Sequence, residues 1–169
     1  ISEISIEEMK EYVKGCDAVA SCLGHNLTFK GIYGKPRKLV RDAVRLSCKA
    51  IMALEPEKAK KFVLMNTTGN QNRDLKERVS IGHKIVIGLL RVVLPPQPDN
   101  EKAADYLRKN IGQVDPVVEW VAVRPDSLIN EDKVSDYTIH PSPIRSPIFN
   151  PGKTSRINVA HFMAELVTS

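Results

Sequence analysis

Residues 118–128, Val-Glu-Trp-Val-Ala-Val-Arg-Pro-Asp-Ser-Leu, constrain the fold more than any other part of the chain. Their β-branched and aromatic side chains predict a strand. The strand must end at Arg124 and Pro125, because proline has no N–H to donate to a sheet and biases the residue before it to extended geometry. Asp126 and Ser127 then predict a polar turn. Ligands of α/β sheets bind just beyond the carboxyl ends of strands, so residues 125–128 are a candidate wall of a site.

Two earlier segments have the same form. Residues 17–23 are a compact apolar run that ends at Gly24. Residues 61–69 are an apolar run that closes with the small polar sequence Thr-Thr-Gly. Runs this apolar are typical of strands that are buried on both faces of a parallel sheet.

Segments with helical periodicity separate these strands. We predict helices at residues 7–14, 36–54, 101–109 and 157–167. Residues 95–99 predict a break, and Asp99 or Asn100 is expected to cap the helix that follows. Residues 79–93 carry a helix-like apolar pattern, but their Ile and Val residues suit a strand equally. The alternation predicts an α/β fold, namely a Rossmann-like doubly wound parallel sheet with helices on both faces.

Composition narrows the function classes. The chain has 169 residues, which is enough for one domain with a real core, so we expect residues 1–169 to form a single domain. The net charge is +5, but the basic residues are spread out and only 5% of the residues are aromatic, which disfavours a nucleic-acid surface. The longest apolar run, residues 85–94, is interrupted by Arg91 and is too short to span a bilayer.

The cysteines indicate a reducing location. Cys16, Cys22 and Cys48 form no C-x-x-C pair, and an odd count favours buried free thiols in a cytoplasmic protein. Cys22 and His25 are three residues apart in the sequence. Two such ligands fall far short of a zinc site, so we expect no metal.

The three predicted strand ends meet at one edge of the sheet, which is how a nucleotide crevice is built. His25 could contact adenine or ribose there, or it could only stabilise its loop. The hydroxyl groups of Thr67 and Thr68 could point into the crevice, or they could cap the turn. The candidate cofactor-binding residues are Leu23, Gly24, His25, Thr67, Thr68, Gly69, Pro125, Ser127 and Leu128.

Four short motifs follow one another at a characteristic spacing. They are Gly-Cys-Asp-Ala-Val-Ala-Ser-Cys-Leu-Gly at 15–24, Lys-Phe-Val-Leu-Met-Asn-Thr-Thr-Gly at 61–69, Trp-Val-Ala-Val-Arg-Pro-Asp-Ser-Leu at 120–128 and Thr-Ser-Arg-Ile-Asn-Val-Ala at 154–160. Together they resemble the atypical short-chain dehydrogenase/reductase group. More narrowly, they resemble its NAD(P)H-binding branch, which is related to NmrA-type regulators and to biliverdin/flavin reductases. Asn158 stands where that branch usually has aspartate.

The resemblance implies a protein that binds NAD or NADP and a small-molecule substrate, as a monomer or a homodimer. It implies no membrane partner and no nucleic acid. It places Pro125 and Leu128 beside the nicotinamide. It also places the Pro-rich segment at about residues 129–153 on the substrate side, as part of a lid, although a plain surface loop is the alternative.

Two features depart from the family pattern. No Gly-x-x-Gly-x-x-Gly turn follows a strand early in the sequence. We therefore expect this sequence to correspond to the later part of a Rossmann domain, without the first strands. The wider group transfers protons with a tyrosine and a lysine four residues apart, and no such pair occurs here. The nearest substitute after Thr68 is Ser80 with Lys84, although the polar start of a helix is the favoured interpretation of these residues.

Two functions from different classes follow. The first is an NAD(P)H-dependent oxidoreductase, or an epimerase-like enzyme, that acts on a small or planar acceptor with Thr68 and Lys84 as catalytic candidates. The second is a non-catalytic NAD(P)-binding redox sensor or scaffold of the NmrA-like type. The missing tyrosine–lysine pair favours the second. Reductases of the biliverdin/flavin type nevertheless work without that pair, because their acceptors take a proton from solvent, so we expect the enzyme.

Overall fold

The computed structural model describes residues 3–26, 28–75, 77 and 79–169. The helices are α1 (Ile6–Val13), α2 (Phe29–Tyr33), α3 (Leu39–Ala53), α4 (Ile81–Val93), α5 (Pro96–Tyr106) and α6 (Arg156–Thr168). The strands are β1 (Ala18–Ser21), β2 (Lys60–Met65), β3 (Val118–Val123), β4 (Ser127–Ile129) and β5 (Lys153–Ser155). A π-helical turn at Leu107–Ile111 continues α5.

The first three strands form one parallel sheet in the order β1-β2-β3. In its register Ser21 lies opposite Leu64, and Met65 lies opposite Val123. All three strands therefore end at the same edge, as their sequences predict. A parallel sheet with helices packed on both faces confirms the predicted Rossmann-like α/β class.

The middle strand, β2, is buried on both faces, which explains why residues 62–65 are all apolar. The same prediction is wrong for β1, where Ala20 is exposed, because β1 is an edge strand of the sheet. Phe62 and Leu64 face a core cluster that α1, α3 and α5 complete. Val63 faces the other way and packs against Val159 and Met163 of α6. Full burial of one such side chain contributes about 1.5–3 kcal/mol, so the two clusters hold helices against both faces of the sheet.

The break predicted at residues 95–99 is shorter than expected, because it covers only Leu94 and Pro95, between the end of α4 and the start of α5. α5 begins at Pro96, and Pro95 is its N-cap residue. Proline is tolerated in a first helical turn, because the N–H groups of that turn have no acceptor within the helix. Neither Asp99 nor Asn100 caps this helix, since both lie inside it.

Three further elements differ from or refine the sequence prediction. The ambiguous segment at residues 79–93 contains a helix, α4, and the short helix α2 follows β1 without having been predicted. β4 and β5 form an unpredicted parallel pair in which Leu128 lies opposite Thr154. The N–H of Ser127 also donates to the carbonyl of Gly152, at 3.2 Å. These contacts bring the end of the Pro-rich segment back to the sheet edge.

Candidate functional site

Backbone hydrogen bonds join the loops that follow β2 and β3 at the carboxyl edge of the sheet. The N–H of Asn66 donates to the carbonyl of Val123 at 2.7 Å, and the N–H of Thr68 donates to the carbonyl of Pro125 at 3.3 Å. The pairing of the two strands thus continues past their ends. It places two of the predicted segments, residues 67–69 and 125–128, side by side.

The two threonines that follow β2 have different surroundings. The hydroxyl of Thr67 accepts from the N–H of Gly69 at 3.2 Å, so it caps the turn, which was one of the two predicted roles. Thr68 lines both a small cavity of about 110 Å³ and a much larger groove. The small cavity is lined by Thr67, Thr68, Asp126, Ser127, Pro147 and Pro151.

The larger groove has a volume of about 1040 Å³ and runs along the outer edge of β3. One wall is formed by Thr68 and the residues that follow it, and the opposite wall by the Pro-rich segment at residues 135–145. Pro125 and Asp126 lie at the end nearest the strand ends. A space of this size accommodates a drug-sized molecule, whereas the 110 Å³ cavity does not.

Arg124 connects three segments around this groove. Its guanidinium forms a two-pronged ion pair with Glu77, with nitrogen–oxygen distances of 2.6 and 3.1 Å. It also donates to the carbonyls of Asn70 at 3.0 Å and Pro141 at 3.3 Å. The side chains of Arg124 and Glu77 are only 14% and 7% exposed. Arg124 therefore fixes the groove walls, and no local feature of the sequence identified Glu77 as its partner.

His25 is part of a buried pair, and its ring does not face an open crevice. Its Nε2 lies 2.9 Å from Oδ2 of Asp99, and its Nδ1 lies 3.2 Å from the carbonyl of Gly31. The side chain is 4% exposed. Both ring nitrogens are therefore hydrogen-bonded within the protein. In this arrangement, His25 can contact a cofactor only through its backbone.

Leu23 and Gly24, two further cofactor-binding candidates, lie in a solvent-exposed loop after β1. Leu23 and Gly24 are exposed, and a side chain at Gly24 would meet no atom within 4 Å. At the end of β1, the hydroxyl of Ser21 is buried and has no hydrogen-bond partner among the described residues. A buried hydroxyl without a partner costs free energy, so the end of β1 has unused hydrogen-bonding capacity.

Ser80 and Lys84 belong to the start of α4. The hydroxyl of Ser80 accepts from the N–H of His83 at 3.2 Å, so it serves as the N-cap, and this matches the simpler of the two sequence interpretations. Lys84 lies on the exposed side of the helix. His83 is buried, and this burial lowers the pKa of its imidazole below the usual 6.5.

Two contacts that the sequence did not predict attach the Pro-rich segment to α6. The amide of Asn158 accepts from the N–H of Ser135 at 2.9 Å and donates to its hydroxyl at 3.0 Å. The hydroxyl of Tyr137 lies 2.8 Å from Nδ1 of His161 and donates to Glu165 at 2.9 Å. Partial burial, followed by the hydrogen bond to Glu165, raises the pKa of Tyr137, so this phenol stays protonated.

At the N-termini of α3, α4 and α6, some first-turn N–H groups are already bonded within the protein. The first turn of α3 donates to the carboxylate of Asp99, that of α4 to Ser80, and that of α6 to Ser155. A dinucleotide pyrophosphate usually binds free N–H groups at such a terminus. None of these three termini therefore offers a fully free first turn to a pyrophosphate.

A parallel sheet whose strand ends open into a crevice of small and hydroxyl-bearing residues defines a dinucleotide-binding protein of the Rossmann type. A family model described as NAD(P)H-binding matches residues 3–169, so the chain belongs to the NAD(P)H-binding family. The family binds NAD or NADP, which supports a nucleotide-binding, oxidoreductase-like role. No curated protein and no solved structure matches the chain significantly.

The described ranges contain neither a membrane-spanning helix nor a cluster of metal ligands. No helix there has the length and apolar character needed to cross a bilayer. In the same residues, no group of three or more His, Cys, Asp or Glu side chains is placed to hold a metal ion.

Proposed function

We propose that this protein is an NAD(P)H-dependent oxidoreductase of the atypical short-chain dehydrogenase type that reduces a small or planar acceptor. One observation supports this above the others. Thr68 and Pro125, which are joined by a backbone hydrogen bond, lie at the carboxyl edge of the sheet and also line the groove of about 1040 Å³. A cofactor at the strand ends and an acceptor in the groove would therefore meet at these residues.

In this proposal the nicotinamide half lies against residues 67–69 and 125–128, and Leu23, Gly24 and the backbone of His25 border the cofactor at β1. When bound, the reduced cofactor supplies a hydride. The acceptor takes this hydride and one proton, so that acceptor, NAD(P)H and H⁺ give the reduced acceptor and NAD(P)⁺. Since the sequence has no Tyr-x-x-x-Lys pair, the proton comes from water in the open groove. The hydroxyl of Thr68 orients the acceptor.

The Pro-rich segment at about residues 129–153 forms the substrate side of this single domain. Arg124 holds it through the carbonyl of Pro141, and Asn158 holds it through Ser135. Its prolines limit the conformations that the unfolded segment loses on folding, which favours a fixed wall. Of the three free thiols, Cys48 is buried as predicted, whereas Cys16 and Cys22 are exposed; free thiols support a reducing, cytoplasmic location.

The test uses the full-length protein with NADPH or NADH and a panel of flavin and quinone acceptors, and follows loss of reduced-nicotinamide absorbance. Thr68→Val keeps the shape of the side chain and removes its hydroxyl. We expect it to lower turnover about tenfold, the effect of one hydrogen bond worth about 1.4 kcal/mol, with cofactor affinity nearly unchanged. Thr168→Val is the matched control, because Thr168 ends α6 and its hydroxyl bonds only within that helix.

The outcomes separate the parts of the proposal. Equal turnover of Thr68→Val and the native protein would show that Thr68 does not act on the acceptor. Cofactor binding without oxidation by any acceptor would refute the reductase. Failure to bind either cofactor would contradict the functional assignment as a whole.

A non-catalytic NAD(P)-binding redox sensor or scaffold is the second candidate. Two hydroxyls that could have acted at the site instead accept backbone hydrogen bonds, since Ser80 caps α4 and Thr67 caps its turn. Their structural roles favour a protein without turnover. Lys84 is exposed on α4. For this candidate, we expect the protein to bind the oxidised and the reduced cofactor with different affinities and to show no turnover.

A further inference from the structure

An apolar stripe on α4 faces solvent. Ile81, Ile85, Leu89 and Val92 are 77, 67, 62 and 82% exposed. Their spacing places them on one side of the helix, opposite the buried His83 and Ile87. Gly88 lies within the stripe, and a side chain built there would meet no atom within 4 Å. The stripe is therefore open along its whole length.

Aromatic side chains extend the stripe at both ends of the helix. At the first end, the exposed ring of Phe149 lies against Gly82, where an added Cβ would be 3.3 Å from the ring. At the last end, the hydroxyl of Tyr33 donates to the carbonyl of Val93 at 3.1 Å. The Tyr33 ring lies 5.0 Å from that of Phe29, which is 81% exposed. We call this surface the apolar ridge; it consists of Phe29, Tyr33, Ile81, Ile85, Leu89, Val92 and Phe149.

The apolar ridge is too large for an ordinary solvent-facing surface. Seven exposed side chains of this size present on the order of 800 Å² of surface, whereas monomers rarely expose contiguous apolar patches larger than a few hundred Å². About 800 Å² is also what each partner contributes to a stable protein–protein interface of standard size. The area therefore fits a macromolecular partner.

The charges of α4 itself argue against an anionic membrane as that partner. α4 contains only two permanently cationic residues, Lys84 and Arg91. Arg91 is already paired with Glu101 of α5, at 2.8 Å. Helices that lie on anionic membranes carry many lysines and arginines on their polar face. α4 therefore lacks the charge of such a helix; the other basic residues near the ridge, Lys30, Lys35 and Arg37, lie on α2 and the segment after it.

We propose that a second copy of this chain covers the apolar ridge, with the two α4 helices packed antiparallel about a twofold axis between Ile85 and Gly88. When two copies of the stripe are aligned antiparallel, most of the exposed apolar residues of one copy face apolar or open positions of the other. An antiparallel pair centred there sets Ile81 opposite Val92 of the other copy, and Ile85 opposite the open surface at Gly88. The Phe149 end of each helix meets the Phe29 and Tyr33 end of the other. Such a twofold contact is closed, because the same patch serves both copies.

The first test measures the mass of the full-length protein by sedimentation over a range of concentrations. We expect a dimer, and we expect Ile85→Glu to be monomeric, because it places a charge at the centre of the contact. Val114→Glu is the matched control, since Val114 is 96% exposed and lies outside the ridge, and it should remain dimeric. Far-UV circular dichroism confirms that each variant folds. A native monomer, or a dimer that withstands Ile85→Glu, would overturn the proposal.

The second test fixes the orientation with cysteine pairs in a Cys16→Ser, Cys22→Ser background. Residues 81 and 92 are about 16 Å apart along the helix, at 1.5 Å per residue. In the antiparallel dimer, a mixture of Ile81→Cys and Val92→Cys chains should therefore form a mixed disulfide, and neither variant alone should cross-link. Cross-linking of Ile81→Cys with itself would instead show parallel helices. Absence of any cross-link, or binding to anionic vesicles by a protein that stays monomeric, would also refute the contact proposed here.

Discussion

Replacement of Asp99 by alanine removes a carboxylate that accepts three hydrogen bonds from distant parts of the chain. Asp99 lies in α5, yet it accepts from the N–H groups of Val40 at 2.9 Å and Arg41 at 3.2 Å, in the first turn of α3. The N-cap residue of α3, Lys38, provides no side-chain cap. Asp99 thus caps a helix to which it does not belong, and His25 closes the other side of the carboxylate at 2.9 Å.

The expected loss follows from these contacts. Each amide that loses its acceptor in a buried place costs about 1–3 kcal/mol. Nε2 of His25 loses its partner as well, and the Asp99 side chain is only 1% exposed, so water does not readily replace these bonds. The three contacts share one carboxylate, so their costs overlap. We expect Asp99→Ala to lower the free energy of unfolding by about 3–4 kcal/mol. Asp99→Asn keeps one acceptor oxygen and should lose about half as much.

Urea unfolding followed by circular dichroism measures this loss. The slope of the free energy with urea should stay constant, because the change alters stability and not the surface exposed on unfolding. Asp132→Ala is the matched control, since Asp132 is exposed, and it should stay within about 0.5 kcal/mol of the native protein. A loss below about 1 kcal/mol for Asp99→Ala would refute the assigned cap. If Asp99→Ala does not fold, Asp99→Asn provides the measurement.

Two further predictions concern titratable groups. Cys48 is fully buried, and burial raises the pKa of its thiol to about 12, so Cys16 and Cys22, which are exposed, should react with a disulfide reagent long before Cys48. Peptide mapping checks this, and equal labelling of Cys48 and Cys22 in the folded protein would contradict it. Burial lowers the pKa of His83 below the usual 6.5, so the unfolded chain takes up a proton first and stability should fall as the pH drops below about 6.5. Urea unfolding over that pH range should show a smaller decline for His83→Gln, and an identical decline would count against the role of His83.

The strands were predictable because their signals are local. Residues 118–123 are rich in β-branched and aromatic side chains. Pro125 must end the strand, because it has no N–H to donate to the sheet. β2 is apolar at four successive positions, as expected for a strand covered on both faces. Parallel pairing of such strands brings their carboxyl ends together, so the edge that holds the candidate site followed from the sequence as well.

The start of α5 was not predictable from the same kind of signal. Three prolines within four residues are typical of a break, but here they occupy or precede the first turn, where a missing N–H costs nothing. Asp99 was expected to cap its own helix. Its acceptors are needed instead by Val40, which is 59 residues away along the chain. No local sequence pattern predicts that hydrogen bond.

The sequence by itself determined the class of this protein. Its periodicities gave an α/β sheet, and its motifs indicated the NAD(P)H-binding family to which the chain belongs. Only the tertiary structure decided which polar groups meet: His25 turns to Asp99, and Arg124 turns to Glu77 and the Pro-rich segment. The physical reason is that strand and helix propensities act between near neighbours in the chain. Hydrogen bonds and ion pairs at a site join segments tens of residues apart, and their partners are set only when the core brings those segments together.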